Sequence, residues 1–127
     1  MGMTENELSK EIIGAAIEVH RQLGSGLLES AYEEALCYEL ELRGILVERQ
    51  KYQPLDYKGK TLKTDYRIDL LIDKKVIVEI KAKEAVHPID KAQTLTYLRL
   101  GKIKLGLLIN FHEPLLKDGI TRIVNNL

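Results

Sequence analysis

Three charged residues in two neighbouring apolar segments have the types and spacing needed for metal-assisted chemistry. The segment 67–72 reads RIDLLI and places Asp69 among apolar residues, and the segment 76–82 reads VIVEIKA and contains Glu79 and Lys81. Two carboxylates that lie close together repel unless a proton or a cation intervenes. Mg²⁺ prefers oxygen ligands and is usually held by one or two carboxylates together with water and phosphate. We therefore predict a site for Mg²⁺, or Mn²⁺, on Asp69 and Glu79, with Lys81 as a positive donor beside it.

These groups would suffice for hydrolysis of a phosphodiester bond. A divalent ion polarises the scissile phosphate and lowers the pKa of a bound water, and a lysine can orient that water or offset the charge that develops on the phosphate. A bare E-x-K triplet is nevertheless common, so the alternative is an ordinary amphipathic hairpin with a surface pair of Glu79 and Lys81.

The turn between the two segments decides whether Asp69 and Glu79 meet. Side chains alternate along a strand, so the odd-numbered residues of 76–82 share one face and the even-numbered residues share the other. If the turn has an odd number of residues, such as 73–75, Asp69 and Glu79 lie directly opposite each other, whereas a two-residue turn would pair Asp69 with Val78. We predict the three-residue turn, which would place the two Cβ atoms about 5 Å apart.

The elements that must hold these strands can be predicted from periodicity and capping residues. Thr4 and Glu7 have the spacing of a capping box at a helix start, Gly24 suits a helix C-cap, and Pro88 suits the first turn of a later helix. In chain order we predict helices at 4–24 and 26–43, strands at 47–57, 61–72 and 76–82, a helix at 89–100, a strand at 104–111 and a further short strand at 119–124. This α-α-β-β-β-α-β order favours a single α/β domain, 1–127, with a mixed β-sheet flanked by helices.

These motifs resemble those of a known superfamily. Asp69 followed by the triplet EIK at 79–81 is similar to the signature of the PD-(D/E)xK nuclease-like superfamily, and GLLESAY at 26–32 resembles the motif of the GxxExxY family within it. Ile68 stands where many members carry a proline before the aspartate. The resemblance implies a restriction-endonuclease-like core and a metal-dependent nuclease that acts on DNA or RNA.

The resemblance also implies roles for residues outside the two strands. Related nucleases carry a glutamate on the helix before the sheet that helps to hold the metal, which points to Glu29, and Tyr32 shares its helix face. Gln93 and Tyr97 resemble a Q-x-x-x-Y motif that lines the active site of RecB-like members, and His20 resembles a metal-binding histidine of some RecB-like nucleases. The alternatives are structural: Glu29 suits the positive end of a helix dipole, and the other four could be core or surface residues.

The composition limits the classes of protein to which this chain could belong. The chain has 127 residues, of which 45% are hydrophobic and 30% charged, as is ordinary for a globular protein. It has no apolar run long enough to span a bilayer, its polar N-terminus is unlike a signal peptide, and its single Cys37 excludes an internal disulfide. We therefore expect a cytoplasmic protein without a membrane partner.

The charge is unevenly spread although the net charge is zero. Residues 1–48 contain ten acidic and three basic residues, and residues 49–127 contain nine and sixteen. The basic second part is compatible with a surface that faces phosphates, so we expect a nucleic-acid partner, the alternative being ordinary solvated lysines.

A catalytically silent domain that binds nucleic acid or protein is the competing function. The absence of a G-x-x-x-x-G-K loop disfavours nucleoside triphosphate chemistry, and the apolar C-terminal segment leaves a homodimer open.

Overall fold

The three helices occur in the predicted order, and the first and third begin close to their predicted starts. The computed structural model describes residues 2–127 and contains α1 (Glu5–Leu23), α2 (Glu29–Leu42) and α3 (Pro88–Gly101). Thr4 and Glu7 form the predicted capping box of α1, and Gly24 is its C-cap. The predicted start of α2 at Gly26 is wrong, because Gly26 has φ 108°, which no right-handed helix accepts. Among residues 2–127 no helix is both long and apolar enough to cross a membrane.

Seven strands in residues 2–127 form one large sheet and one small hairpin. They are β1 (Val47–Tyr52), β2 (Asp56–Tyr57), β3 (Lys60–Thr61), β4 (Arg67–Ile72), β5 (Val76–Lys81), β6 (Leu105–Asn110) and β7 (Ile120–Val124). The large sheet has the order β1-β4-β5-β6-β7, and β2 pairs only with β3. β5 and β6 are parallel and are joined through α3, whereas the other pairs are antiparallel. The predicted mixed sheet flanked by helices is confirmed.

Two predicted strands were too long. The strand predicted at 47–57 ends at Tyr52, and the strand predicted at 61–72 begins at Arg67. Pro54 follows Tyr52 closely and has no N–H to donate to a ladder. The predicted turn at Lys58 and Gly59 exists, but it closes the separate hairpin of β2 and β3, and both residues have positive φ.

The turn between β4 and β5 has the predicted three residues, 73–75. Leu70 pairs with Val78, Leu71 with Ile77 and Ile72 with Val76. Asp73 and Lys74 both have positive φ, 49° and 57°, which turns the chain sharply. This register puts Asp69 and Glu79 at the next opposed positions.

The two faces of the large sheet are covered differently. On one face, α1 and α2 pack over a large apolar core that includes the even-numbered residues of β5. On the other face, α3 contributes Tyr97 and Leu98 to a small apolar cluster around Ile77. Because side chains alternate along β5, Glu79 and Lys81 lie on the α3 side of the sheet with Ile77.

Candidate active site

Asp69 and Glu79 lie opposite each other where the backbone ladder between β4 and β5 ends. The last backbone pair joins Leu70 and Val78. Beyond it, Asp69 Oδ2 accepts a hydrogen bond from the Ile80 amide at 2.8 Å, and Glu79 Oε2 accepts one from the Asp69 amide at 2.8 Å. The two carboxylates therefore replace ladder hydrogen bonds, and each is oriented by the main chain.

Burial makes this pair of acids hard to ionise. The side chain of Glu79 is only 4% exposed, and burial, followed by the charge of Asp69, raises its pKa to about 8. Burial also raises the pKa of Asp69, although the hydrogen bond from the Ile80 amide acts against this rise. The positive charge of Lys81 lowers both pKa values. A buried carboxylate beside a half-buried one favours a retained proton or a bound cation.

Lys81 is held at the start of α3 by Asp90. Lys81 Nζ lies 4.0 Å from Asp90 Oδ1, and Lys83 Nζ lies 2.6 Å from Asp90 Oδ2. Asp90 also accepts a hydrogen bond from the His87 amide at 2.9 Å. Burial would raise the pKa of Asp90, but the hydrogen bonds from Lys83 and His87 lower it. One buried carboxylate thus pairs with two lysines, of which Lys81 also acts on the acidic pair. Neither Asp90 nor Lys83 was among the predicted site residues.

Asn110 fixes the backbone around Lys83. Its side-chain oxygen accepts a hydrogen bond from the Lys83 amide at 3.1 Å, and its side-chain nitrogen donates one to the Lys83 carbonyl at 2.8 Å. Asn110 is paired with Lys81 in the parallel register of β5 and β6 and is 1% exposed. The loop that carries Lys83 is therefore tied to the neighbouring strand.

Helix α2 brings Glu33 to this region. Glu33 Oε1 accepts a hydrogen bond from Gln50 Nε2 at 2.7 Å, and the same nitrogen lies 3.3 Å from Asp69 Oδ1. Glu33 Oε2 accepts a hydrogen bond from Arg49 Nη2 at 3.0 Å. Glu29 is exposed at the first residue of α2, and among residues 2–127 no hydrogen bond or ion pair joins it to Asp69 or Glu79. Its role as a metal ligand stays a prediction.

Sequence reasoning missed Glu33 although a signal was present. Glu33 lies three and seven residues before Leu36 and Leu40, so it occupies the buried stripe of α2, as its 8% exposure shows. A charged residue within an apolar stripe needs a partner or a function. Glu29 lies one helical turn earlier, where the chain is exposed.

Gln50 has an unusual backbone. Its φ is 50° within β1, a left-handed conformation that costs a non-glycine residue roughly 1 kcal/mol or more. The β1–β4 register would pair it with Asp69, but backbone pairing is interrupted at that position. The side chain is instead aimed at Glu33 and Asp69.

Tyr97 lies beside the acidic pair and Gln93 lies further out on α3. Tyr97 is 4% exposed, and its pKa is raised by burial and then by the charges of Glu79 and Asp69. Gln93 is exposed and lines a pocket together with Tyr97. Their predicted roles on the substrate side remain predictions.

Tyr32 and His20 have contacts that belong to the packing of the opposite face. The Tyr32 hydroxyl donates to the Gly24 carbonyl at 2.6 Å, and its ring stacks on Phe111 at 4.5 Å. His20 Nε2 lies 2.9 Å from the Glu113 carbonyl oxygen. Within residues 2–127 no hydrogen bond joins either residue to Asp69 or Glu79. Their supporting roles in the site stay predictions.

The donor set suits an ion that needs few protein ligands. No three His, Cys, Asp or Glu side chains in residues 2–127 are close enough to enclose a metal ion. This excludes a closed site of the structural zinc type within those residues. Mg²⁺ needs only one or two carboxylates, and Glu79 Oε1 accepts no hydrogen bond from the described residues. The acidic pair of Asp69 and Glu79 therefore fits a hard divalent ion.

Comparison with known protein families identifies the superfamily to which the chain belongs. A family model described as the PD-(D/E)XK nuclease superfamily matches residues 6–123, which include Asp69, Glu79 and Lys81. No curated protein and no solved structure matches the chain. Nucleases of this superfamily generally use divalent metal ions. The chain therefore belongs to the PD-(D/E)XK nuclease superfamily and has its α/β, restriction-endonuclease-like fold.

Proposed function

We propose that this protein is a nuclease that hydrolyses phosphodiester bonds of DNA or RNA with Mg²⁺ or Mn²⁺ held by Asp69 and Glu79. The observation that carries the proposal is the meeting of the buried Glu79 carboxylate and the half-buried Asp69 carboxylate at the end of the β4–β5 ladder, with Lys81 on the same side. The motif GLLESAY at 26–32 supports assignment to the GxxExxY family.

Each residue has a separate task in this proposal. When bound, the divalent ion polarises the phosphate and lowers the pKa of a water molecule. Asp69 and Glu79 hold it with carboxylates that the main chain has already oriented. Glu33 adds negative charge near Asp69, to which Gln50 links it by hydrogen bonds, and Glu29 remains a candidate for a water-mediated contact. Lys81 donates to the phosphate and stabilises the charge that develops there.

The raised pKa of Glu79 makes metal binding dependent on pH. A carboxyl group must lose its proton to hold a cation, so binding releases protons when the free site is protonated. Glu79 has a pKa of about 8, so apparent affinity for Mg²⁺ should increase as pH rises toward that value. Calorimetry in two buffers of different ionisation enthalpy measures this release.

A cleavage screen tests the proposal. Single-stranded and double-stranded DNA and RNA are incubated with Mg²⁺, Mn²⁺ or EDTA. We expect cleavage that EDTA abolishes and that Glu79→Gln or Lys81→Met lowers by roughly 100-fold or more. The matched controls are Glu84→Gln and Lys91→Met, which change the same residue types at exposed positions. Cleavage that survives both site variants would contradict the proposal.

Metal binding is tested apart from cleavage. Calorimetric titration of Mn²⁺ into the wild type should show one site that is lost in Asp69→Asn. Asp65→Asn, at an exposed aspartate on the same stretch of chain, should bind like the wild type. Equal binding by all three proteins would exclude Asp69 as a ligand.

A catalytically silent domain that binds nucleic acid or protein is the second candidate. One observation favours it: backbone amides already satisfy one oxygen of each acid without any cation. It predicts nucleic-acid binding that weakens with salt and no cleavage with any metal. The cleavage screen separates the two candidates.

We also propose a partner, a compartment and an oligomeric state for the protein. The basic residues of 49–127 support a nucleic-acid partner. The buried free thiol of Cys37 suits a reducing compartment such as the cytoplasm. β7 is the last strand of the sheet order and Val124 is 50% exposed, which would suit edge pairing in a homodimer.

A further inference from the structure

A pocket of about 370 Å³ lies between α3 and the segments that flank the small hairpin. Tyr66 and Leu55 line it from the hairpin side, and Ile89, Gln93 and Tyr97 line it from α3. The volume falls in the range of pockets that bind small molecules or single groups of larger ones.

The residues that line the pocket do not suit a phosphate group. No lysine or arginine lines the pocket within residues 2–127, and its one charged residue is the acidic Asp90. The rings of Tyr66 and Tyr97 meet edge to face, with their centroids 6.3 Å apart. Gln93 supplies an amide that can both donate and accept hydrogen bonds. This lining suits a flat, uncharged aromatic ring with a polar edge.

The pocket shares Asp90 and Tyr97 with the surroundings of the candidate active site. Asp90 lines the pocket and also pairs with Lys81 and Lys83. Tyr97 lines the pocket, and its pKa is raised partly by the charges of Glu79 and Asp69. The two lysines paired with Asp90 and the apolar, aromatic pocket therefore adjoin, as the phosphate and the base of one nucleotide do.

We propose that this pocket binds an unpaired nucleobase of the strand whose phosphate lies at Lys81, so that the substrate is single-stranded or frayed nucleic acid. The inference rests on the proposed function for its choice of polymer. Bases of an intact duplex are paired and stacked, so moving one into a pocket requires free energy for unpairing, which is not needed for a base that is already unpaired. Stacking on tyrosine also tolerates different bases, because every base offers an aromatic face.

Binding is measured without cleavage, in EDTA. A short single-stranded oligonucleotide with a central 2-aminopurine is titrated with the protein, and a blunt duplex of the same sequence is titrated in parallel. We expect tighter binding of the single strand, with quenching of the 2-aminopurine as it stacks. Tyr66→Ala should weaken single-strand binding roughly tenfold, whereas Tyr66→Phe, which keeps the ring, should preserve it.

Two further variants keep the test specific. Ala92→Phe, at an exposed lining position on α3, fills the pocket and should weaken single-strand binding as Tyr66→Ala does. Tyr38→Ala removes a 63% exposed tyrosine on α2, outside the pocket, and should bind like the wild type. Thermal unfolding of every variant separates lost binding from lost folding.

The outcomes distinguish this inference from the proposed function. If Ala92→Phe and Tyr66→Ala bind single strands like the wild type, or if blunt duplex binds as tightly, the nucleobase pocket is wrong even when metal-dependent cleavage occurs. If the variants lose single-strand binding but the wild type never cleaves, the pocket stands and the nuclease activity falls. If the wild type binds no nucleic acid, both proposals fail.

Discussion

The two faces of the large sheet are built from the same strands, but one face is almost wholly apolar and the other carries charged groups. Toward α1 and α2, β5 presents Val76, Val78 and Ile80 to a large, almost wholly apolar core. Toward α3, the same strand presents Glu79 and Lys81 beside a small apolar cluster. Burying carboxylates costs stability unless they are compensated. The apolar face supplies most of the burial, which lets the other face hold groups that lower stability.

The largest effect on stability should follow a change on the apolar face. Ile80→Ala removes a side chain that is 1% exposed, and the free energy of unfolding should fall by about 3 kcal/mol because a cavity is left. Glu79→Gln, at the adjacent residue on the other face, should leave stability unchanged or raise it at pH 8. Urea unfolding of both variants measures the difference, and equal losses would contradict the contrast between the faces.

The pH dependence of stability should also come from the α3 face. Folding raises the pKa of Glu79 from 4.5 to about 8, so between these pH values the folded chain keeps a proton that the unfolded chain has released. The free energy of unfolding should therefore fall as pH rises from 4.5 toward 8. Asp69 acts in the same direction. Unfolding across this range should show a flatter profile for Glu79→Gln, and saturating Mg²⁺ should restore stability at pH 8.

A substitution at Asp90 tests how far the positions of Lys81 and Lys83 depend on the start of α3. Asp90→Asn removes the charge that holds Lys81 and Lys83 but leaves an oxygen for the His87 amide. We expect roughly tenfold slower cleavage and a loss of stability of about 1 kcal/mol or less. A changed pH profile of cleavage would identify Asp90 as a positioning residue, whereas a loss of stability alone would limit it to capping.

The smallest effect should come from the backbone of Gln50. Gln50→Gly and Gln50→Ala both lose the amide, but only glycine accepts φ 50° without strain. Gln50→Gly should therefore be more stable than Gln50→Ala by about 1 kcal/mol. Chemical unfolding of the pair measures this, and identical stabilities would argue against stored strain in β1.

Local signals predicted most of the fold. The capping box at Thr4, the three-residue turn at 73–75 and the alternation in β5 each depend on neighbours in sequence, and each is confirmed. Of the candidate site, only the part that depends on turn length and strand alternation could be predicted, which is that Asp69 and Glu79 lie opposite each other. Local signals do not say which distant segments meet: the apolar stripe of α2 marks Glu33 as buried but does not identify Gln50 as its partner.

The missed residues illustrate that limit. Asp90 acts on Lys81 from another element, and Glu33 is linked to Asp69 by hydrogen bonds through Gln50, a residue of β1. The positive φ of Gln50 follows from the surroundings of β1 rather than from its own residue type. The hairpin of β2 and β3 was absorbed into longer predicted strands because its residues alone satisfy the pattern of an extended segment.

The reciprocal bonds between the two acids and the opposing main chain affect how mutagenesis here must be designed. Truncating Asp69 to alanine would strip the Ile80 amide of its acceptor, and truncating Glu79 would do the same to the Asp69 amide. An unsatisfied buried amide costs roughly 1–3 kcal/mol by itself. Alanine scanning at these positions would therefore conflate lost chemistry with a loosened β-sheet, whereas isosteric amides leave the scaffold's acceptors in place.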